Sequence, residues 1–429
     1  MARITSEDKK NKIRAALLAT KEKRKHQRPM VFELKIDYSH LNKSERNTLK
    51  MYFIEAKWIY NHILSMENPF IYDSKVKTVN VLNKDRKLEK RELKYLPAKN
   101  RQDIHKVLMN NIKGLSVKKN NNKKVGRLKF KSEYNSIELS QYGVTHKITG
   151  RNRIKINGIK KPIKVHGLEQ ISKDYEIANA KLIKKPSGYY VNLTCYLDIK
   201  PSHLNHSNNM KPSIGIDMGI TTTITTSDGD KYDISIRESE HLKSLQCKLA
   251  RQVKGSKNRY KTCIKIGREY EYITNQRKDK ANKIASKLLR ENQIVCMQDE
   301  NIAGWHKGWF GKQVQNSALG TIKSKLSLSK QVIIIDRFFP STKKCYRCGN
   351  SYDIKLNERT YICPICGLTE DRDMKSAKSI LYEGLSSVKY ISVPTEHSRD
   401  FKPVEIVPLP ASGLMASMVN EAGSLRIHS

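Results

Sequence analysis

SIGIDMGITTTITTSDGDKYDIS, residues 213–235, reads as three short strands in succession: Ser213–Met218, the threonine-rich Thr221–Ser227 and Lys231–Ser235. Small turn residues separate them, as hairpins require. A long basic helical region follows at 237–290. Two compact apolar strands, Gln293–Gln298 and Val332–Asp336, then flank a helical stretch at 315–327. Hairpin strands followed by strands alternating with helices give the order of an RNase H-like α/β fold. This places an α/β domain over 212–340, resuming at 371–390 after an interruption at 341–370.

Upstream the texture differs. Residues 1–30 carry ten Lys or Arg against three Asp or Glu. They read as an arm, either mobile or helical once a partner orders it, with a solvated terminus as the plain alternative. Val31–Asp37 alternates as a strand, with Phe32, Leu34 and Ile36 on one side. Asn42 and Glu45 have the spacing of a capping box, and Leu49, Phe53, Ala56, Ile59 and Ile63 recur at helical spacing behind it. A second helix is expected over Ala98–Lys113, stopping at Gly114. Short strands broken by Gly, Asn and Pro fill 127–200. The clearest is Tyr189–Ile199, with Val191, Leu193, Cys195, Leu197 and Ile199 on one face. The expectation is a small β-barrel from 31–37 and 126–205, with 38–125 as a helical insertion, 201–212 as a linker and 391–429 as an irregular tail.

The chain has 429 residues, and 82 Lys and Arg against 42 Asp and Glu leave a formal charge of +40. Such an excess calls for a polyanionic partner, and nucleic acid fits better than a membrane surface. No run approaches the ~20 apolar residues of a spanning helix, and the start of the chain has no apolar signal core. The expected compartment is cytoplasmic. KKNNNKKVGRLKFK, residues 118–131, holds seven basic residues in fourteen: Lys118, Lys119, Lys123, Lys124, Arg127, Lys129 and Lys131. Alone it is as consistent with a solvated loop as with a phosphate clamp; the net charge favours the clamp. Lys254, Lys257, Arg259, Lys261, Lys265 and Arg268 form a second basic set, read as facing nucleic acid, with a solvated helix surface as the alternative.

Four of the eight cysteines form two knuckles, Cys345-Tyr-Arg-Cys348 and Cys363-Pro-Ile-Cys366, fourteen residues apart and each followed by a glycine, Gly349 or Gly367. Four thiolates at this spacing can close a tetrahedral shell around one Zn²⁺ with no open position, a structural site. The usage is that of a reducing compartment, not of a disulfide scaffold.

Three acids stand at strand or helix ends. Asp217 lies inside an apolar strand, where a charge needs a metal or an ion pair. Glu300 follows the strand ending at Gln298. Asp373 starts a helix bearing Met374, Ala377 and Leu381 on one face, and Asp371 is explained as an N-cap. In this order, within an RNase H-like pattern, Asp217, Glu300 and Asp373 form the set that binds two Mg²⁺ roughly 3.5–4 Å apart and hydrolyses phosphodiesters. Trp305 and Trp309, just beyond Glu300, are either core residues of a loop or stacking platforms for a single-stranded base.

GIDMGI, QDENIAGWHKGWFGKQ and the two cysteine knuckles followed by DRD resemble the TnpB/OrfB proteins of bacterial insertion sequences, relatives of type V CRISPR effector nucleases. The likeness is sharp over about 210–385 and architectural upstream. Lys402-Pro-Val-Glu405 and Glu421-Ala-Gly-Ser424 also look like a TnpB terminus. The resemblance implies a wedge-like barrel and a helical recognition insertion that hold a guide RNA and its duplex with target double-stranded DNA, and a RuvC-like nuclease domain interrupted by the zinc ribbon, in a bacterial or archaeal cell and acting at the nucleoid. It implies that Asp217, Glu300 and Asp373 are catalytic. Two departures stand out. Glu300-Asn-Ile-Ala replaces a usual Glu-Asp-Leu-Asn, which makes Asp299 a competitor for the second role. Lys375 stands where the motif has asparagine, and it either touches the scissile phosphate or weakens the site. The function expected is RNA-guided DNA endonuclease. The alternatives are a nuclease-weak guided DNA-binding regulator, a compact type V effector and a transposase acting without RNA.

Overall fold

The computed structural model describes residues 6–83, 87–198, 211–355 and 358–387. These form two compact units, one up to Asp198 and one from Lys211. Ile199, most of the expected linker and the 391–429 tail lie outside the described residues.

The first unit opens with helix α1, Ser6–Lys25. The arm is therefore helical. Its last turn is tied down, with Lys23 and Arg24 pairing with Glu176 and the Arg24 guanidinium stacked 3.5 Å from the Tyr196 ring centre. Strand β1 runs Gln27–Ile36, starting earlier than the alternation suggested. Its polar start hides it: buried Gln27 donates to Glu176 and Asp198 instead of packing apolar atoms. Helix α2, Lys43–Ser65, has the expected Asn42–Glu45 box and buries the expected apolar stripe.

The insertion is not purely helical. A hairpin, β2 (Thr78–Leu82) and β3 (Leu88–Glu92), lies within it. Buried Glu55 of α2 accepts the amides of Lys94, Tyr95 and Leu96, which fixes the chain after β3. Helix α3 covers Ala98–Asn120, passing through Gly114, which is solvent-facing. It ends at Asn121, just before Asn122 adopts φ +52°, a left-handed conformation asparagine tolerates.

Strands β4 (Ser136–Leu139), β5 (His146–Gly150), β6 (Arg153–Ile156), β7 (Ile163–His166), β8 (Glu176–Lys185) and β9 (Gly188–Asp198) join β1 in one antiparallel sheet, ordered β4-β8-β9-β1-β7-β6-β5. The edge strands β4 and β5 are consecutive in sequence, and Tyr142 bridges to His146 across their short connection. The sheet therefore curls until its edges nearly meet. One core joins its inner residues, among them Leu34, Val191 and Leu193, to Leu49, Ile59 and Leu108 of the helices.

In the second unit, β10 (Lys211–Met218), β11 (Ile224–Thr226) and β12 (Lys231–Tyr232) form an antiparallel meander. The β11 and β12 strands are shorter than expected, because the Gly219–Thr222 backbone turns tightly before β11. Helices α4 (Glu240–Arg251) and α5 (Lys257–Glu291) follow, then β13 (Asn292–Gln298), parallel to β10. The single helical stretch expected next is three helices: α6 (Ile302–Lys307), α7 (Gly311–Ser317) and α8 (Leu319–Leu326), the last two divided at Ala318. Strand β14, Val332–Ile335, completes a sheet ordered β12-β11-β10-β13-β14. A small hairpin, β15 (Thr360–Ile362) and β16 (Thr369–Asp371), leads into helix α9, Arg372–Ser386.

Alternation along β13 places the helices. Val295 and Met297 face α5 and α8, while Ile294 and Cys296 share a cluster with Ile380 of α9. The contact with α9 is backbone-close. A Cβ on Gly215 of β10 would lie 2.1 Å from the Ala377 carbonyl oxygen, and one on Gly384 of α9 would lie 2.6 Å from Cys296 Sγ. Gly215→Ala is therefore expected to cost the second unit about 1–3 kcal/mol by overpacking, measured by denaturant unfolding. Gly126→Ala, where a Cβ meets nothing within 4 Å, should be nearly neutral in the same measurement.

Candidate active site and metal centre

Asp217 is the penultimate residue of β10, opposite Thr225 of β11. The parallel pairing of β10 with β13 brings the ends of both strands to the same edge, so the turn after Gln298 delivers Glu300 beside it. Helix α9 delivers Asp373 in its first turn, where Asp371 caps the helix by accepting the amides of Asp373 and Met374 at 3.0 Å. The three carboxylates line one cleft of about 260 Å³ with Thr221, Thr222, Trp305, Arg359 and Arg372.

Their electrostatics are those of crowded like charges. Burial pushes the Asp217 carboxyl up to about 8, and the neighbouring Asp373 and Glu300 push the same way. Glu300 is also raised by burial, against the pull of Lys323 and Arg337. Asp373 carries two counter-ions, Arg372 at 3.2 Å and Arg359 at 3.5 Å. The acids are not drawn to one point: among the described residues, only four cysteines gather their ligand atoms within 4.8 Å of one another. A pair of cations separated by roughly 4 Å asks no such convergence of its ligands.

Asp299, the competitor, is held by Lys323 and by Arg337 at 2.7 Å, and the Lys323 hydrogen bond is the main cause of its lowered pKa. It is an ion-pair residue on the outer side of the turn. Lys375 is held by backbone carbonyls and is not itself among the residues lining the cleft. It is fully buried, donating at 3.0 and 2.8 Å to the carbonyls of Ser341 and Thr342, two further residues that line the cleft, with the Tyr361 ring 4.0 Å away. The tryptophans divide. Trp305 packs half-buried on the core beside the acids, whereas Trp309 is 102% exposed. Arg359 was not legible as a cleft residue, because the hairpin return that carries it there leaves no mark in local sequence. Arg372 lay unassigned inside the Asp-Arg-Asp motif.

The cysteines form the second centre. Cys345 and Cys366 sulfurs lie 3.7 Å apart, and Cys348 and Cys363 sulfurs 3.5 Å apart. Tetrahedral zinc with Zn–S near 2.3 Å sets an edge of about 3.8 Å, so the donor set fits. The knuckles repeat one backbone pattern. The Gly349 amide donates to the Cys345 carbonyl at 2.9 Å and the Gly367 amide to the Cys363 carbonyl at 3.0 Å. Both glycines have positive φ, +76° and +67°, as the turn requires.

The basic sets are partly redefined. Lys118 and Lys119 end α3, and Lys123, Lys124, Arg127 and Lys129 are exposed on the strandless segment after it. Lys131 is instead packed, its ammonium 4.2 Å from Tyr60 and 4.3 Å from Tyr134 ring centres. Arg259 caps α4 by donating to the Leu249 and Gln252 carbonyls. Lys254 lies in the loop before α5, while Lys257, Lys261, Lys265 and Arg268 make an exposed stripe at helical spacing along α5. Among the described residues, no helix is long and apolar enough to cross a membrane.

Two expectations follow. A carboxyl whose folded pKa is raised contributes stability that is complete below its unfolded pKa, about 4, and is lost as pH climbs through its folded value. In Mg²⁺-free protein, Asp217→Asn should therefore melt a few degrees above wild type at pH 9, with the gap closing toward about pH 4 and narrowing when Mg²⁺ is added. Elemental analysis should find one zinc per chain, lost in Cys363→Ser together with order in the 341–370 segment.

A family model described as "Probable transposase", OrfB_IS605, matches residues 197–306, and one described as "Cas12f1-like, TNB domain" matches residues 321–380. A Streptomyces pristinaespiralis protein named "Putative RNA-guided DNA endonuclease" is 29% identical over 271 residues, covering 60% of this chain and 66% of that protein. InsQ of Escherichia coli K12, named the same way, is 25% identical over 196 residues, covering 40% of this chain and 48% of its own length. The mimivirus TnpB-like protein L79 is 24% identical over 220 residues, covering 42% and 38%. The chain thus spans between about two fifths and two thirds of the length of these relatives. A solved Cas12f1-sgRNA-target DNA complex aligns at TM-score 0.37 and 14% identity over 64% of this chain and 70% of that one, too weak a likeness to bear on the fold. Matched in chain order by a transposon-protein model and a Cas12f1-like domain model, with TnpB-like proteins among its relatives, the chain is similar to the TnpB/type V-related family.

Proposed function

We propose that this chain is an RNA-guided DNA endonuclease that hydrolyses phosphodiesters at the Asp217–Glu300–Asp373 cleft. The observation that carries the reading is the meeting of three carboxylates, from β10, the turn after β13 and the start of α9, in one cleft where Asp217 is raised to about 8. Such crowding is unfavourable unless a cation relieves it. Hard carboxylate oxygens suit Mg²⁺, and the three acids would hold two such ions. When bound, the pair supplies the acidity and charge neutralisation that in-line attack on a phosphodiester needs.

The chain's own groups divide the remaining work. Asp217 releases its proton when the site is charged. Arg359 and Arg372, already at Asp373, are placed to meet phosphate oxygens, for which a guanidinium is the better-shaped cation. Exposed Trp309 and half-buried Trp305 offer flat faces to unpaired bases. The α5 stripe and the 118–129 segment neutralise backbone phosphates of guide RNA and DNA.

By this reading the curled sheet is a wedge-like domain, with the α2–α3 segment as a recognition insertion. The five-stranded sheet is a RuvC-like nuclease domain interrupted by a zinc ribbon. Guide pairing reads the target while protein reads a short flanking motif. Two relatives carry the words "RNA-guided DNA endonuclease" in their names, which supports the general kind of activity.

The test is a set of substitutions in the RNA-loaded protein. Asp217→Ala, Glu300→Ala and Asp373→Ala should each lower cleavage at least a hundredfold while guided binding to matched DNA persists. Asp299→Ala and Asp371→Ala should keep substantial activity, because one serves an ion pair and the other a helix cap. Cleavage by the first three variants would remove the mechanism. Protein that purifies without RNA yet cuts DNA would favour a transposase.

A further inference from the structure

We propose that Lys375 and Gln298 are positioning residues that together set the spacing between Asp373 and Glu300. This inference rests on the reading of the three acids as metal ligands. It concerns how they are held, and it explains a lysine buried without any exposure.

The segment from Asp336 to Thr342 connects β14 to the first cysteine knuckle and runs between the two carboxylate-bearing elements. Gln298, two residues before Glu300, grips it from the β13 side. Its Nε2 donates to the carbonyls of Asp336, Arg337 and Phe339 at 3.2, 3.1 and 2.7 Å. Lys375, two residues after Asp373, grips it from the α9 side through the Ser341 and Thr342 carbonyls at 3.0 and 2.8 Å. Ser341 is shared, since its hydroxyl donates to Gln298 Oε1 at 3.0 Å while its carbonyl accepts from Lys375. A continuous polar chain therefore links the backbone beside one metal-ligand candidate to the backbone beside the other.

The chemistry explains why these positions are polar. Apolar side chains of equal size would fill the same space, but they impose no direction on the backbone. Each buried hydrogen bond penalises a shift of either partner, because the group left behind loses its pairing without regaining water. A nuclease centre needs that stiffness, since its ligands must sit within a fraction of an ångström of their working positions. Lysine is long enough to reach across α9, and the Tyr361 ring at 4.0 Å completes its shell.

The experiment reads metal binding separately from catalysis. Trp305 lines the cleft with the acids, so Tb³⁺ bound there should emit on indole excitation, and Asp217→Ala should abolish that signal. Lys375→Met and Gln298→Leu keep volume and remove the hydrogen bonds. Each should weaken Tb³⁺ binding and raise the Mg²⁺ concentration for half-maximal cleavage by roughly tenfold, with zinc content and guide binding unchanged. The double variant should lose much less than the product of the two single losses, as for residues acting in one chain. Ser341→Ala deletes only the shared hydroxyl and is the mildest cut; it should give a several-fold loss even if the larger changes impair folding. Wild-type terbium affinity in Ser341→Ala, or in well-folded Lys375→Met, would overturn the inference alone. Absence of terbium emission in the wild type would overturn the reading of the acids and this inference with it.

Discussion

Everything in the second unit depends on how closely α9 approaches β10 and β13. No side chain separates them at Gly215 and Gly384, where an added Cβ would strike the Ala377 carbonyl or Cys296. The close approach brings the first turn of α9 to the strand ends, so Asp373 reaches the cleft that Asp217 occupies. It also joins the cysteine hairpin to the sheet, since β16 runs directly into α9. The metal centre made of sulfur and the cleft made of oxygen are therefore mechanically continuous, though their chemistries share nothing.

The cleft is also an electrostatic exception. In a chain of net charge +40, three acids line one cleft, and burial, reinforced by the neighbouring Asp373 and Glu300, opposes ionisation of Asp217. Within the cleft Asp373 is paired with Arg359 and Arg372, and outside it Asp299 lies between Lys323 and Arg337, Glu370 pairs with Lys378, and Glu176 with Lys23 and Arg24. On the proposed function, a polyanion would be drawn to the surface as a whole, while the acidic cleft would take cations.

Local signals in the sequence were reliable where one residue's chemistry sufficed. The Asn42–Glu45 box, the α2 stripe, the paired knuckles and their positive-φ glycines follow from short-range rules, and all are present. Misreadings cluster where the environment decides. Gly114 was taken as a stop, but an exposed glycine inside a helix costs only about 1 kcal/mol, and α3 runs through it. The β2–β3 hairpin is hard to read because β3, Leu-Glu-Lys-Arg-Glu, is charged and mostly exposed, and the alternation of β2 spans only five residues. Lys131 and Arg259 counted as free cations in a basic run, yet one lies over two tyrosine rings and the other caps α4.

The sequence by itself determined the family resemblance, the succession of strands and helices in the second unit and the four-thiol donor set, because motif spacing and hydrophobic period are properties of the linear chain. Only the tertiary structure paired Asp299 with Lys323 and Arg337, brought Arg359 to Asp373, and buried Lys375 against the Ser341 and Thr342 carbonyls. The reason is that a charged side chain's role depends on which partners the fold brings within hydrogen-bond reach. Those partners are distant in sequence, as with Asp299 and Arg337, 38 residues apart.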